Sequence, residues 1–199
     1  MDQQGNWIIR TYRQSPALAC TILIAGILAV QTAFLVIMGH PAICDCGTVK
    51  LWYPEASGPE TSQHITDWYS YSHVLHGLIF YVILWLVAPR LPMGLRLALA
   101  VGVEAAWEMA ENTPAVIDRY RQSALAEGYF GDSILNSLSD TFAAMFGFLV
   151  ARVSPVWLSV VLVVVTEIFM AYMIRDNLTL NILQLVHPSE AISRWQVGG

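Results

Sequence analysis

Lysine is nearly missing from this chain: Lys50 is the only one among 199 residues, and arginines complete the ten basic side chains. Against 15 acids this leaves a formal net charge of −5. That balance excludes a basic face for nucleic acid, whose phosphates select for one. It also leaves no basic cluster to anchor on anionic lipid. Charge of either sign is scarce, at 13% of residues, whereas soluble domains run near about 25%. A chain with so little charge cannot cover a water-facing surface. There is no H-E-x-x-H zinc motif and no G-x-S-x-G nucleophile turn, so two hydrolase chemistries lack their signatures. Internal repeats and low-complexity segments are absent as well.

What fills the chain instead is apolar residue, 56% of it, gathered into five long runs. They cover Pro16 to Met38, about Ser72 to Ala88, Pro92 to about Glu111, about Asp132 to Val153, and about Val156 to Ile174. About 20 apolar residues in a helix span a bilayer core. The expected fold is therefore an all-α polytopic membrane bundle, one domain over residues 1–199, with about five transmembrane helices. Arg10 and Arg13 precede the first run, whose length and lack of a small-residue cleavage site read as an uncleaved signal anchor. Pro89 to Pro92 and Ser154-Pro155 make tight turns, because proline ends helices and restricts the residue before it. Residues 39–71 and 112–131 are polar loops. Trp68, Tyr69 and Tyr71 mark a headgroup level. The tail, residues 175–199, is too polar to span and reads as interfacial. The basic residues tie in number between the two sides, with Lys50, Arg119, Arg121, Arg175 and Arg194 on one, but Arg10, Arg13, Arg90, Arg96 and Arg152 on the other hug the span ends. The first helix usually dominates orientation. The expected location is the bacterial inner membrane, with a cytoplasmic N-terminus and both polar loops outside.

Three cysteines remain. Cys20 lies in an apolar run as a packing residue. Cys44 and Cys46, in C-D-C-G, are open to a structural disulfide, a redox role or half of a metal site.

The polar residues inside the runs carry the functional signal. His73 and His76 are three apart and share a helical face. Glu104, Glu108 and Glu111 share another, and Asp132, Asn136 and Asp140 a third. Antiparallel alternation predicts matched layers: His73, Glu111 and Asp132 at the outer rim, His76, Glu108 and Asn136 one turn deeper, and Glu104, Asp140 and Glu167 about 10–12 Å down by helical rise. Ionisable groups in the hydrocarbon core cost a few kcal/mol and need partners, yet no lysine or arginine falls in these layers. The bland alternative is that the acids are neutral packing glue between helices. Neutral imidazole with carboxylates suits Zn²⁺ or Mn²⁺, and the expected ligands of such a divalent cation are His76, Glu108 and Asp132.

The segments H-V-L-H-G (73–77), W-E-M-A-E-N (107–112), G-D-S-I-L-N-S-L-S-D-T (131–141) and D-N-L-T-L-N (176–181) resemble a bacterial family of multi-pass membrane proteins, described as a domain of unknown function. The resemblance covers nearly the whole chain and implies a cell-membrane location. A looser similarity is to VanZ-like membrane proteins, which carry a histidine, a glutamate and D-x-x-x-N-x-x-G on successive spans. Here Ser139 stands where that glycine belongs, and in the other register Ala144 replaces the asparagine.

Three functions stay open. The first is an intramembrane enzyme acting on a lipid or lipid-linked headgroup at the outer face, with His73, His76, Glu104, Glu108, Glu111, Asp132, Asn136 and Asp140 as its site. The second is a proton- or cation-coupled carrier, which with five spans and no repeat needs a homo-oligomer. The third is an accessory protein that binds a membrane partner through the cysteine loop and the tail.

Overall fold

A computed structural model describes residues 15–123, 125–126 and 128–198. Arg10 and Arg13, and with them the positive flank expected before the first run, lie outside the described residues. Among those described, the chain forms eight helices and no named strand. They are α1 (Pro16–Met38), α2 (Ser70–Val87), α3 (Met93–Glu111), α4 (Pro114–Tyr120), α5 (Ile134–Val153), α6 (Val156–Ile174), α7 (Leu178–Val186) and α8 (Glu190–Gln196).

The helix ends follow local chemistry. Pro16 opens α1, where its missing N–H is no loss, and Gly39 closes it at φ 84°, the left-handed position that suits glycine. The turn between α2 and α3 is tied by Arg96, which donates to the carbonyls of Leu91 (2.9 Å) and Pro89 (2.5 Å). Ser133 caps α5 by accepting from Asn136 N at 3.1 Å, and Asn177 caps α7 by accepting from Leu180 N at 2.8 Å.

Four of the five long helices, α1, α2, α5 and α6, are long and apolar enough to cross a membrane. The protein reads as a membrane-embedded helical bundle. α3 matches them in length with 19 residues, but Arg96, Glu104, Glu108 and Glu111 keep it less apolar than they are. It is compensated by position, because α3 packs against α1, α2 and α5 together.

Small residues bring α2 and α5 together. A methyl group at Gly77 would sit 1.9 Å from the Ala144 carbonyl oxygen, and one at Gly147 would sit 2.0 Å from that of Val74. Close backbone approach of this kind is how helices associate without a hydrophobic driving force. α1 is tied to α5 by Gln31, which is fully buried, donates to Ser137 Oγ (2.8 Å) and accepts from Thr141 Oγ1 (3.0 Å).

The loop between α1 and α2 descends beside α5. The first N–H groups of a helix have no intrahelical partner. Here Ser133, Ile134 and Leu135 donate theirs to the carbonyls of Ser62, Pro41 and Ala42 at 2.9–3.1 Å. Asn136 Nδ2 and Ser133 Oγ hold His64 and Gln63 in the same way. Cys44 and Cys46 form a disulfide in this loop.

Candidate functional site

Three carboxylates and two imidazoles meet where α2, α3 and α5 come together. His73 is the centre. Its Nδ1 lies 2.6 Å from Glu104 Oε1 and 3.3 Å from Glu108 Oε1, and its Nε2 lies 3.8 Å from Asp140 Oδ2. His76 Nδ1 approaches both oxygens of Glu104, at 3.2 and 3.0 Å. Ser70 donates to Asp140 Oδ1 at 2.7 Å. Glu104 and Glu108 are fully buried. Neither oxygen of Glu108 accepts a hydrogen bond, and Glu111 Oε2 is buried without a partner as well. Among the described residues the lysine and arginine ion pairs, Lys50–Glu60 and Arg121–Asp118, involve none of these acids.

The expected layering shifts by more than a turn. Ser70 is the first residue of α2, yet it pairs with Asp140, the seventh of α5. α2 therefore begins about 9 Å deeper than α5, by helical rise. Residues 61–69 of the loop fill that depth beside the first turns of α5. His73 is consequently level with Glu104, Glu108 and Asp140, rather than with Glu111 and Asp132 at a rim. For the same reason the expected metal set does not converge. Among the described residues, the membrane-side donors within 4.8 Å of one another are His73, Glu108 and Asp140, and His73, His76 and Glu104. His76 is held on Glu104, and Asp132 is engaged elsewhere.

Asp132 belongs to a second pole nearer the loops. Asn112 donates to its Oδ2 at 2.6 Å and accepts from its backbone N–H at 2.7 Å, and Tyr129 donates to Oδ1 at 2.9 Å. The His40 ring bridges the carbonyls of Asp132 and Asn112, 3.0 Å from each. Burial pushes the Asp132 carboxyl above the usual carboxylate range, against the pull of Asn112 and Tyr129. Asp67 is shifted the same way by burial, opposed by the N–H groups of Ser62, Tyr69 and Ser70. Asn136, expected in the site, instead fixes the loop through His64.

Between the two poles lies a cavity of ≈ 50 Å³, lined among others by Tyr69, His73, Glu111, Tyr129, Asp132 and Asp140. At about 10–15 Å³ per water, that admits a few waters. A smaller cavity of ≈ 30 Å³ adjoins it past His76 and Trp107. The tail closes this space. Arg175 turns the chain at φ 56°, and Asp176 and Asn181 then line the cavity. Tyr69 donates to Asp176 at 3.2 Å, as does Gln196. Burial pushes the Asp176 carboxyl up to about 6 and holds the Tyr69 phenol well above its usual range. Glu167, expected beside Glu104 and Asp140, caps the tail helix instead: it accepts from Leu178 N and Thr179 N at 3.0 and 3.1 Å.

Comparison with known proteins bears on the whole of this arrangement. A family described as "Protein of unknown function (DUF2585)" matches residues 35–198. A UPF0314 protein of Paracoccus denitrificans is 49% identical over 189 residues, 95% of this chain and 96% of the relative. Those of Sphingopyxis alaskensis and Brucella anthropi are each 48% identical over 89% of this chain, covering 95% and 90% of the relative. The chain belongs to the DUF2585 family. The matched residues begin in the last turn of α1 and take in every member of the cluster. The looser VanZ-like similarity is not shown by these matches. No solved structure matches the chain.

For this DUF2585 chain, several site residues escaped the reading of isolated spans. Tyr69 faces the cavity rather than the headgroup level, while Trp68 and Tyr71 form an aromatic group with Trp52 and Phe169. A signal existed for some. Tyr69 precedes His73 and His76 at helical spacing, and Asn112 continues the Glu104–Glu108 stripe by four. Asp176 had none, because only the fold-back at Arg175 brings it over the site.

Proposed function

We propose that this protein binds and processes the polar headgroup of a lipid or lipid-linked molecule at the outer face of the bacterial inner membrane, the whole chain serving as one membrane domain. The observation that carries the reading is His73, buried among carboxylates from two neighbouring helices, at the wall of a polar cavity. Between the outer parts of α2 and α5, an open groove of ≈ 500 Å³ runs from Phe142 and Phe146 to Ser70 and Asp67. An acyl chain fits the apolar part of such a groove, and the headgroup would meet Ser70, which touches Asp140. Glu104 would orient the His73 ring towards the headgroup.

The far side of the cluster is sealed. Beyond it α2, α5 and their neighbours pack Leu75, Leu78, Phe148 and Ala151 into an apolar core. A carrier would have to open this packed floor in a second state, so the floor favours processing over transport. Arg90, Arg96 and Arg152 hug the span ends at the sealed side, which supports a cytoplasmic placement of that side although Lys50, Arg119, Arg121, Arg175 and Arg194 lie towards the open end. The disulfide lies at the open end, where an oxidising compartment permits it.

The test is lipid turnover. Purified protein would be incubated in nanodiscs of bacterial inner-membrane lipid, and the extracted lipids compared by mass spectrometry. Loss of one headgroup class with wild type, absent with a folded His73→Ala protein, is the expected result. Unchanged lipids, together with proton- or cation-coupled flux in proteoliposomes, would overturn the reading in favour of a carrier.

A further inference from the structure

We infer that His73, Glu108 and Asp140 together hold one divalent cation, with Glu104 orienting the histidine. The inference rests on reading this cluster as the functional site, but not on the headgroup reaction assigned to it. Glu104 Oε1 is an acceptor 2.6 Å from His73 Nδ1, so Nδ1 carries a ring proton, and in the neutral ring Nε2 holds the lone pair. That lone pair has no hydrogen-bond partner: Asp140 Oδ2 is itself an acceptor and is 3.8 Å away. Too long for a hydrogen bond, that separation suits two ligands of one ion. With bonds of about 2.1 Å, it corresponds to an angle near 130° at the metal.

Glu108 supplies the independent observation. It is fully buried, and neither oxygen has a hydrogen-bond partner. An ionised carboxylate left so incurs a desolvation cost of several kcal/mol. One of its oxygens, one ring nitrogen of His73 and one Asp140 oxygen lie within 4.8 Å of one another, and its Oε1 is 3.3 Å from His73 Nδ1. Among the described residues no lysine or arginine pairs with any of them.

The surroundings have the form of an ordered outer shell. Ser70 fixes Asp140 through Oδ1 and leaves Oδ2 free. Two imidazoles hold Glu104, the carboxylate–histidine arrangement that sets a ligand's tautomer and orientation. His73 and Asp140 both line the ≈ 50 Å³ cavity, so an open coordination position would face water or a headgroup oxygen. One imidazole with two carboxylates suits Mn²⁺ or Zn²⁺ better than Mg²⁺.

The experiment uses the full chain in detergent, stripped with chelator and titrated with Mn²⁺, read by electron paramagnetic resonance. Wild type is expected to bind one equivalent, with pulsed spectra carrying the coupling of an imidazole nitrogen that His73→Ala abolishes. Glu108→Gln and Asp140→Asn are expected to abolish stoichiometric binding. Glu104→Gln is expected to weaken it about 10- to 100-fold, the range for an outer-shell partner. The double variant Cys44→Ser/Cys46→Ser should bind as wild type does, which excludes the loop group of Cys44, Cys46, Glu60 and His64. Absence of binding by folded wild type at millimolar Mn²⁺ and Zn²⁺ would overturn the inference. So would binding that survives both Glu108→Gln and Asp140→Asn, or a wild-type spectrum without the nitrogen coupling. Should a variant fail to fold, the wild-type spectrum alone still decides. Turnover of lipid without bound metal would sink this inference and leave the headgroup reading intact, and bound metal without turnover would do the reverse.

Discussion

Replacing Gly77 with alanine tests whether helix packing sets the geometry of the cluster. The added methyl would lie 1.9 Å from Ala144 O and 2.6 Å from Phe148 N, both backbone atoms of α5. Neither atom can rotate away, so the helices must separate. Non-bonded heavy atoms settle at roughly 3.5 Å, which requires a shift of about 1.5 Å. His73 and Ser70 lie about one and two turns from Gly77 on α2, and the shift would carry them from Asp140. The 2.7 Å Ser70–Asp140 hydrogen bond would stretch to roughly 4 Å, which is no hydrogen bond. Overpacking costs about 1–3 kcal/mol, and a lost hydrogen bond to a charged group adds about 1.5–3 kcal/mol. The midpoint of thermal unfolding in detergent should fall by several degrees. Mn²⁺ affinity should fall with it, although Gly77 touches no ligand. A Gly77→Ala protein with wild-type stability and wild-type affinity would refute the reasoning, since it would mean that α2 and α5 are not held at this distance.

Three further outcomes follow from the tail and the loop pole. Asp176 has a folded-state pKa of about 6, raised by burial from 3.8. Its neutral form therefore favours the folded tail, a contribution complete below about pH 4 and lost as pH rises through about 6, worth up to about 3 kcal/mol. Protection factors of residues 176–186, corrected for the intrinsic pH dependence of exchange, should fall between about pH 4 and pH 7, and Asp176→Asn should flatten that dependence. Glu167→Ala removes the acceptor for two N–H groups at the start of α7. It should cost about 1 kcal/mol locally, seen as faster exchange in α7 and unchanged exchange in α2. Asn112→Ala strips Asp132 of two partners. It should destabilise the fold by about 1–3 kcal/mol per group left unpaired, and equal unfolding midpoints for variant and wild type would contradict the role given to Asn112.

Much of the architecture was legible before any coordinates. A bilayer core demands about 20 apolar residues per helix, and proline at 89, 92 and 155 punctuates those runs. Hence the observed helices α1, α2, α3, α5 and α6 fall within two residues of the expected ones. The faces of α2 and α3 were legible too, because residues three and four apart share a side. His73, His76, Glu104, Glu108 and Asp140 do meet. The relative height of the helices was not legible. Assigning depth from the ends of runs assumes that every span starts at one surface, and the loop of residues 61–69 breaks that assumption by descending beside α5. Glu167 failed for a similar reason, since a mid-helix acid can be partnered by a segment far along the chain.

Hydropathy and helical period, both local properties, were enough to establish a membrane bundle with acids and histidines on its inner faces. The choice of His73 over His76 as the hub came from tertiary structure alone. It depends on how far α2 sinks relative to α5, and that follows from Gly77 and Gly147 locking backbones and from loop carbonyls occupying the first N–H groups of α5. Those contacts join residues some 70 positions apart, and no local pattern in either segment specifies the other.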